Sequence, residues 1–384
     1  MKILGVILFF SLFIVRVLIF NTSSEKQIAY FIRPFDENEI AGSTSLPVTF
    51  PDSVIKDSIY LLLSEENIPL AYSCSIQTLV CNDKECLPVD ITLFWETTGA
   101  YLGFKLPLGL PLTKKEHLPF SEEEYVKLNK LLSNHQSVLS NYKRKDLVVS
   151  GENLKEVDGV SSATVLEVRN VTVSGAVYTC YQLWQIVNGQ IARFVSQHSS
   201  QIMTPAFASR LIKKDKPEEI LWLLEQVNFK NTVYSELKQD MVQILTGHDY
   251  SVAYRILNIL DVDDLNSVAI QHSLLDAFNS SSAALKTEIV KKLFMADELD
   301  EKLFNYFSEN LSSFRSYLLI DCLQLLSKQN RVYPDVVDYV SGLLKSENKY
   351  LANKAWQFVN KTSAVSKTSQ ALVKRYRSKF KSIK

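Results

Sequence analysis

The chain has 384 residues, with 42 Lys plus Arg balanced by 42 Asp plus Glu, and 46% of its residues are hydrophobic. That is ample apolar material for two or three globular domains. A formal net charge of zero leaves no overall electrostatic footprint for a nucleic acid, which removes nucleic-acid binding from the expected classes.

In chain order, Met1-Lys2 leads into an apolar run from Ile3 to Val15, broken only by Ser11; Arg16 interrupts it and Val17 to Phe20 resume. A short basic start and such a run read as a secretory signal. Counted through Arg16, residues 1–20 also suffice for a membrane anchor, since a span needs roughly 17 to 25 residues. Asn21 to Ser24 offer small residues but no clean Ala-x-Ala cleavage site. Either way the remainder is expected to be exported, in a periplasm or facing the exterior from a membrane anchor. Residues 21–50 are polar and irregular, with Pro34, Gly42 and Pro47, and read as a linker.

Residues 51–204 read as a mixed α+β domain. Val54, Ile55, Ile59, Leu62 and Leu63 fall at helical spacing and predict a helix over 52–65. Ala71 to Cys81 reads as a strand. Val89 to Trp95 and Tyr101 to Leu106 flank a Gly-containing loop, 96–100, and predict a hairpin. Pro107 to Pro111 is a connector. Ser121 followed by Glu122, Glu123 and Glu124 is a helix start, because a hydroxyl cap and early acids both suit exposed amides. That helix is expected to end near Leu132 or Leu139. Strands are predicted at Thr164 to Val168 and Val171 to Val173, and Gly175 to Val187 fits a helix or a strand pair.

From 205 to 384 apolar residues recur at helical spacing in block after block, as in Ile220-Leu221 with Leu223-Leu224, and Val336-Val337 with Val340. Short polar breaks separate the blocks. This predicts an all-α region of HEAT or armadillo type, although no strict repeat consensus is visible; an irregular helical bundle is the other reading. The basic end, Lys374 to Lys381, reads as the solvated end of a terminal helix, with contact to anionic lipid or a partner as the alternative.

Of the five cysteines, Cys81 and Cys86 flank a polar four-residue loop and are expected to form a structural disulfide. A redox-active pair is the second reading, and a metal site the third, since no histidine lies nearby. Cys74 could pair with either. Cys322, on an apolar helical face, reads as an inert core thiol. His117, His135, His198, His248 and His272 are scattered, with no pair at ligand spacing on one helix. No nucleophile–base arrangement or phosphate loop appears, which points away from an independent enzyme.

The sharpest local signal is Asp158-Gly-Val-Ser-Ser-Ala-Thr164. Asp-Gly followed by small residues forms a turn and leaves little bulk around the Thr164 hydroxyl. An uncrowded hydroxyl on a turn can meet a phosphate, and nearby amides can accept its charge.

These residues resemble the acceptor motif of the FMN-binding domain family, which includes the C subunit of the sodium-pumping quinone reductase, the G subunit of the Rnf complex and membrane regulators of nitrous-oxide reductase. The segment Pro111 to Phe120 with Tyr125 and Leu128, and the segment Gly175 to Trp184, are also similar to family segments. The resemblance covers roughly 72–200. It implies an FMN-binding-like α+β fold with FMN joined through a phosphoester to Thr164 by a flavin transferase. Asp158, Ser161, Ser162 and Ala163 would be the motif companions, with His117 and Tyr178 as further cofactor-binding residues. Ser162 stands where glycine is commoner, and Val165 and Leu166 where many members continue with Thr or Ser. Tyr178, Tyr181 and Trp184 could stack on the flavin ring, with at least two of them expected in the core. The implied function is electron transfer by an exported flavoprotein. The resemblance does not reach the helical array, which is expected to dock a redox partner protein or anchor complex, with membrane association a further option. The alternative is a cofactor-less scaffold acting through the helical surface.

Overall fold

A computed structural model describes residues 27–48, 58–78, 88–149, 163–227, 231–247, 250–362 and 366–381. The chain divides into two compact units, one of Met1–Leu63 with Leu70–Arg193 and the other of Ser64–Pro69 with Phe194–Lys384. The predicted boundary at 204/205 thus moves to 193/194.

The first unit holds a six-stranded sheet of β1 (Ala29–Phe31), β2 (Gly42–Leu46), β3 (Ile59–Leu63), β4 (Pro69–Thr78), β5 (Val89–Trp95) and β6 (Tyr101–Lys105) in the order β1-β6-β5-β4-β3-β2. The predicted β5–β6 hairpin is present, turning at Gly99 with φ 89°. Two expectations are corrected. The segment read as a linker supplies both edge strands: β1 pairs with β6 and β2 with β3. An edge strand with largely exposed side chains needs no apolar alternation, so Gly-Ser-Thr-Ser-Leu gave no strand signal. The helix expected over 52–65 is, in its described part, strand β3. A short apolar run such as Ile59-Tyr60-Leu61-Leu62-Leu63 fits either structure by periodicity.

Gly103 allows β1 to lie close to β6, because a Cβ there would collide with the Phe31 ring and the Tyr30 carbonyl. A bulge opposite Phe94 and Trp95 breaks strict alternation in β6, so Tyr101 and Phe104 turn to the same face as Trp95. That face is covered by α1 (Glu122–Ser133), with α3 (Val177–Asn188) behind Trp95. Trp95 Nε1 donates to the Val187 carbonyl at 2.9 Å, Tyr101 Oη to Asn129 Oδ1 at 2.8 Å, and the Tyr125 ring stacks on Tyr30 at 5.6 Å. The other face buries Leu62, Ala71, Phe94 and Leu102 under Phe31, Phe35 and Ile40.

Helix α1 starts as expected, with a reciprocal capping box between Ser121 and Glu124. The ambiguous stretch after Gly175 is helix α3. A two-stranded pair, β7 (Val148–Val149) with β8 (Ala163–Thr164), is followed by α2 (Leu166–Val171), where strands were expected. Val168 is the buried anchor of α2, and its carbonyl accepts from Thr172 Oγ1 at 2.8 Å, so one inward contact per turn replaces the alternation a strand needs.

Helix α4 (Gln190–Gln201) crosses the division between the units, and α5 (Pro205–Lys213), α6 (Pro217–Val227), α7 (Asn231–Gln243), α8 (Tyr250–Ile259), the short α9 (Val262–Leu265), α10 (Val268–Ser280), α11 (Ala283–Leu293), α12 (Glu301–Glu309), α13 (Ser316–Lys328), α14 (Pro334–Gly342), α15 (Lys349–Lys361) and α16 (Lys367–Lys381) follow. They form two layers. In one, α5, α7, α10 and α12 pack in succession, and α14 packs on α16; in the other, α6, α8, α11, α13 and α15 do. Helices α6, α8, α11, α13 and α15 begin at Pro217, Tyr250, Ala283, Ser316 and Lys349, each 33 residues after the last. Helices α10, α12, α14 and α16 keep the same 33-residue spacing. Buried positions follow it too: Leu260, Leu293, Leu326 and Val359 are equivalent, as are Met241, Leu274, Phe307 and Val340.

Hydrogen bonds stitch neighbouring turns of this array. The buried Gln271 amide donates to the carbonyls of Leu265 and Glu298 and accepts from the Asp300 amide at 2.7 Å. Asp264 completes the α9 capping box by accepting from the Asp261 amide at 3.1 Å, accepts from Lys238 at 2.8 Å and takes the Tyr234 hydroxyl. Burial opposes the Asp264 carboxylate, but the bonds from Lys238 and Tyr234 outweigh it and hold its pKa below the usual value. No helix among the described residues is long and apolar enough to cross a membrane.

Candidate functional site

Thr164 and Ala163 form β8, and Val148 and Val149 are their partners on β7. The Val165 amide continues the pairing by donating to the Leu147 carbonyl at 3.2 Å. The backbone at Thr164 is therefore held by pairing on one side and followed by the start of α2 on the other. Asp158, Ser161 and Ser162 lie outside the described residues, as do Cys81 and Cys86.

The strand that holds Thr164 in register is preceded by a basic turn, Lys143-Arg144-Lys145. Lys143 and Lys145 are exposed. Arg144 is half-buried; its guanidinium lies over the Tyr178 ring, 5.5 Å from the centroid, and donates to Gln182 Oε1 at 3.3 Å. Arg144 is four residues before Val148, the partner of Thr164. Opposing charge is close in sequence: Asp146 ends the turn, and Glu167 on α2 accepts from the Tyr142 hydroxyl at 3.2 Å. The turn joins three basic residues to the strand paired with β8, and one of them, Arg144, lies against the Tyr178 ring. The sequence reading missed Arg144; the three consecutive basic residues were the signal that could have found it.

The other aromatic residues of α3 are core. Tyr181 Oη donates to the Tyr142 carbonyl at 2.9 Å and Trp184 Nε1 to the Asn134 carbonyl at 2.8 Å, and both rings are buried. Cys180 on the same helix accepts from the Val173 amide at 3.4 Å, and burial pushes its thiol up to about 12.

His117 sits elsewhere, in an exposed 3-10 turn just before α1. Glu116 and His117 both have positive φ, 62° and 56°, a left-handed conformation that side chains rarely adopt. The turn is closed by the Lys114 amide donating to the Leu118 carbonyl at 2.8 Å and by the Lys114–Glu124 ion pair at 2.6 Å. These contacts tie His117 to the start of α1, and no described contact brings it to the β7–β8 pair. The structure thus places Thr164 on β8, Tyr178 on α3 beside Arg144, and His117 on a separate turn before α1.

Cys74 and Cys322 are buried. Cys74 Sγ donates to the Ser75 carbonyl at 3.7 Å. Cys322 is wrapped by the helical core, and burial raises its pKa. Among the described residues no group of His, Cys, Asp or Glu could hold a metal ion. Comparison with known protein families, with curated proteins and with solved structures finds no match to this chain.

Proposed function

We propose that this protein is an electron-transferring flavoprotein in which FMN is esterified through its phosphate to the Thr164 hydroxyl. In this reading the helical unit, a solenoid of HEAT or armadillo kind, docks a redox partner. The observation that carries it is the Asp158-to-Thr164 motif, ending on a strand whose partner strand follows a basic turn. A phosphoester is anionic, and Lys143, Arg144 and Lys145 are the charges suited to it. Tyr178 has the one half-buried ring of its helix that is not tied to the core by a hydroxyl or indole bond, so it is the residue to lie against the isoalloxazine. FMN would supply the redox chemistry. The chain's residues would fix its phosphate and orient its ring. Maturation would need a flavin transferase, and a leading segment acting as signal or anchor would place the protein outside the cytoplasm.

The regular helix pairs support the docking half of the reading, because stacked repeats build long continuous surfaces. The test is co-expression with a flavin transferase, followed by visible absorbance of the denatured, desalted chain. Flavin absorbance that survives desalting, and is abolished by Thr164→Val, is the expected result. A colourless wild-type chain rejects the flavin and leaves the scaffold reading, which Val165 and Leu166 favour.

A further inference from the structure

The 33-residue register of the helical unit brings out one position. Val242 on α7, Leu275 on α10, Ser308 on α12 and Ser341 on α14 are equivalent, and all four are buried. The first two are aliphatic and the last two are serine. Between α12 and α14 a cleft of about 540 Å³ is lined in part by Ser308. Ser308, Leu311, Tyr333, Val336 and Tyr339 line it, with carboxylates from Glu309 and Asp335.

Three features of this cleft bear on a ligand, although the first, an unpartnered serine hydroxyl, is shared by the equivalent Ser341. Ser308 is 6% exposed, yet its Oγ has no hydrogen-bond partner, a state that costs stability unless a ligand or water supplies one. Glu309 is the last residue of α12, where the helix dipole disfavours an anion, and it forms no ion pair among the described residues. Asp335 on α14 is likewise without a described ion pair, so the cleft lining carries two acidic residues and no Lys or Arg. Tyr333 is 42% exposed and held by a 2.6 Å bond from its hydroxyl to Asn305 Oδ1. It presents a fixed aromatic surface beside the acids.

We infer that the α12–α14 cleft binds a peptide segment carrying a lysine or arginine. The cation would sit between Glu309 and Asp335 against Tyr333, an apolar neighbour would rest on Leu311 and Val336, and a peptide polar group would pair with Ser308 Oγ. The cleft volume falls in the range of ordinary ligand sites, and aromatic rings with carboxylates are the usual recognition set for a cation. This deepens the docking reading of the helical unit and does not depend on flavin at Thr164.

The probe is a fluorescein-labelled nonapeptide of Gly, Ala and Leu with two central arginines, titrated into the full chain by anisotropy; controls carry glutamate or glutamine instead. Saturable binding of the arginine peptide is expected, weakened by salt, with at least tenfold weaker binding of both controls. The double variant Glu309→Gln, Asp335→Asn should lose at least tenfold in affinity. Ser308→Val, which restores the aliphatic type found at the equivalent Val242, should raise the melting temperature and also weaken the peptide, so its effect cannot be put down to unfolding. Equal binding of all three peptides, or none, overturns the inference. Arginine-peptide binding that the variants leave unchanged, with hydrogen-exchange protection elsewhere on the array, overturns the cleft while leaving the docking reading intact.

Discussion

The two units solve the burial of polar groups differently. In the α+β unit several buried polar side chains make individual long-range bonds, such as Trp95 to Val187, Tyr101 to Asn129 or Trp184 to Asn134. In the helical unit equivalent aliphatic positions recur every 33 residues, and polar bonds such as those of Gln271 join one turn of the array to the next. The first arrangement suits a site whose residues come from distant parts of the chain. The second suits a long surface, because each turn contacts chiefly its neighbours and can vary without disturbing the rest.

The largest expected effect separates the units by chemistry. Thr164→Val should abolish covalent flavin completely while leaving the melting of both units near wild type, as read by differential scanning calorimetry. A substitution in the helical unit should leave flavin content unchanged.

Next in size is a packing test. Trp95 is fully buried, and Trp95→Ala should cost about 3–5 kcal/mol in the α+β unit, from lost burial, the cavity and the orphaned Val187 carbonyl. Calorimetry should show the loss confined to one transition. If the transition of the helical unit falls equally, the units are not independent in stability.

Asp264 gives a smaller effect in the helical unit. Asp264→Ala removes the acceptor of Lys238 and Tyr234 and the returning bond of the α9 capping box, and about 2 kcal/mol of stability should go with it. Because the folded-state pKa of Asp264 is depressed, its contribution is present above the unfolded value, about 3.9, and is lost as pH falls through the lower folded value. The difference in stability between wild type and variant should therefore be flat near neutral pH and shrink below about pH 4. A difference that grows on acidification would contradict the assigned bonds.

The smallest test concerns the start of α1. Ser121→Ala breaks the capping box and should cost about 1 kcal/mol in urea unfolding of the α+β unit. No change would mean that packing of Tyr125 and Leu128 alone holds that helix.

Much of this contrast can be read from the sequence. The hairpin of β5 and β6 carried its own turn, the α1 start carried its own cap, and the helical blocks showed apolar residues at helical spacing. The edge strands were illegible because solvent-facing strands need no apolar pattern. Strand β3 was misread because five apolar residues in a row fit two structures. The 33-residue register was hidden because each position preserves only size and apolar character: Met241, Leu274, Phe307 and Val340 share a place but no identity. At the candidate site, the Thr164 motif was visible as a string of small residues. Arg144 was not, because its relation to Thr164 arises from the pairing of β7 with β8.

The proposed division of labour, FMN on the α+β unit and partner docking on the helical unit, is tested most directly by peptide mapping. Protein matured with a flavin transferase would be digested and the peptide containing Thr164 sequenced by mass spectrometry. The account predicts the FMN increment on Thr164 in that peptide and on no peptide from the helical unit. An unmodified Thr164 peptide, or flavin on another residue, would contradict it.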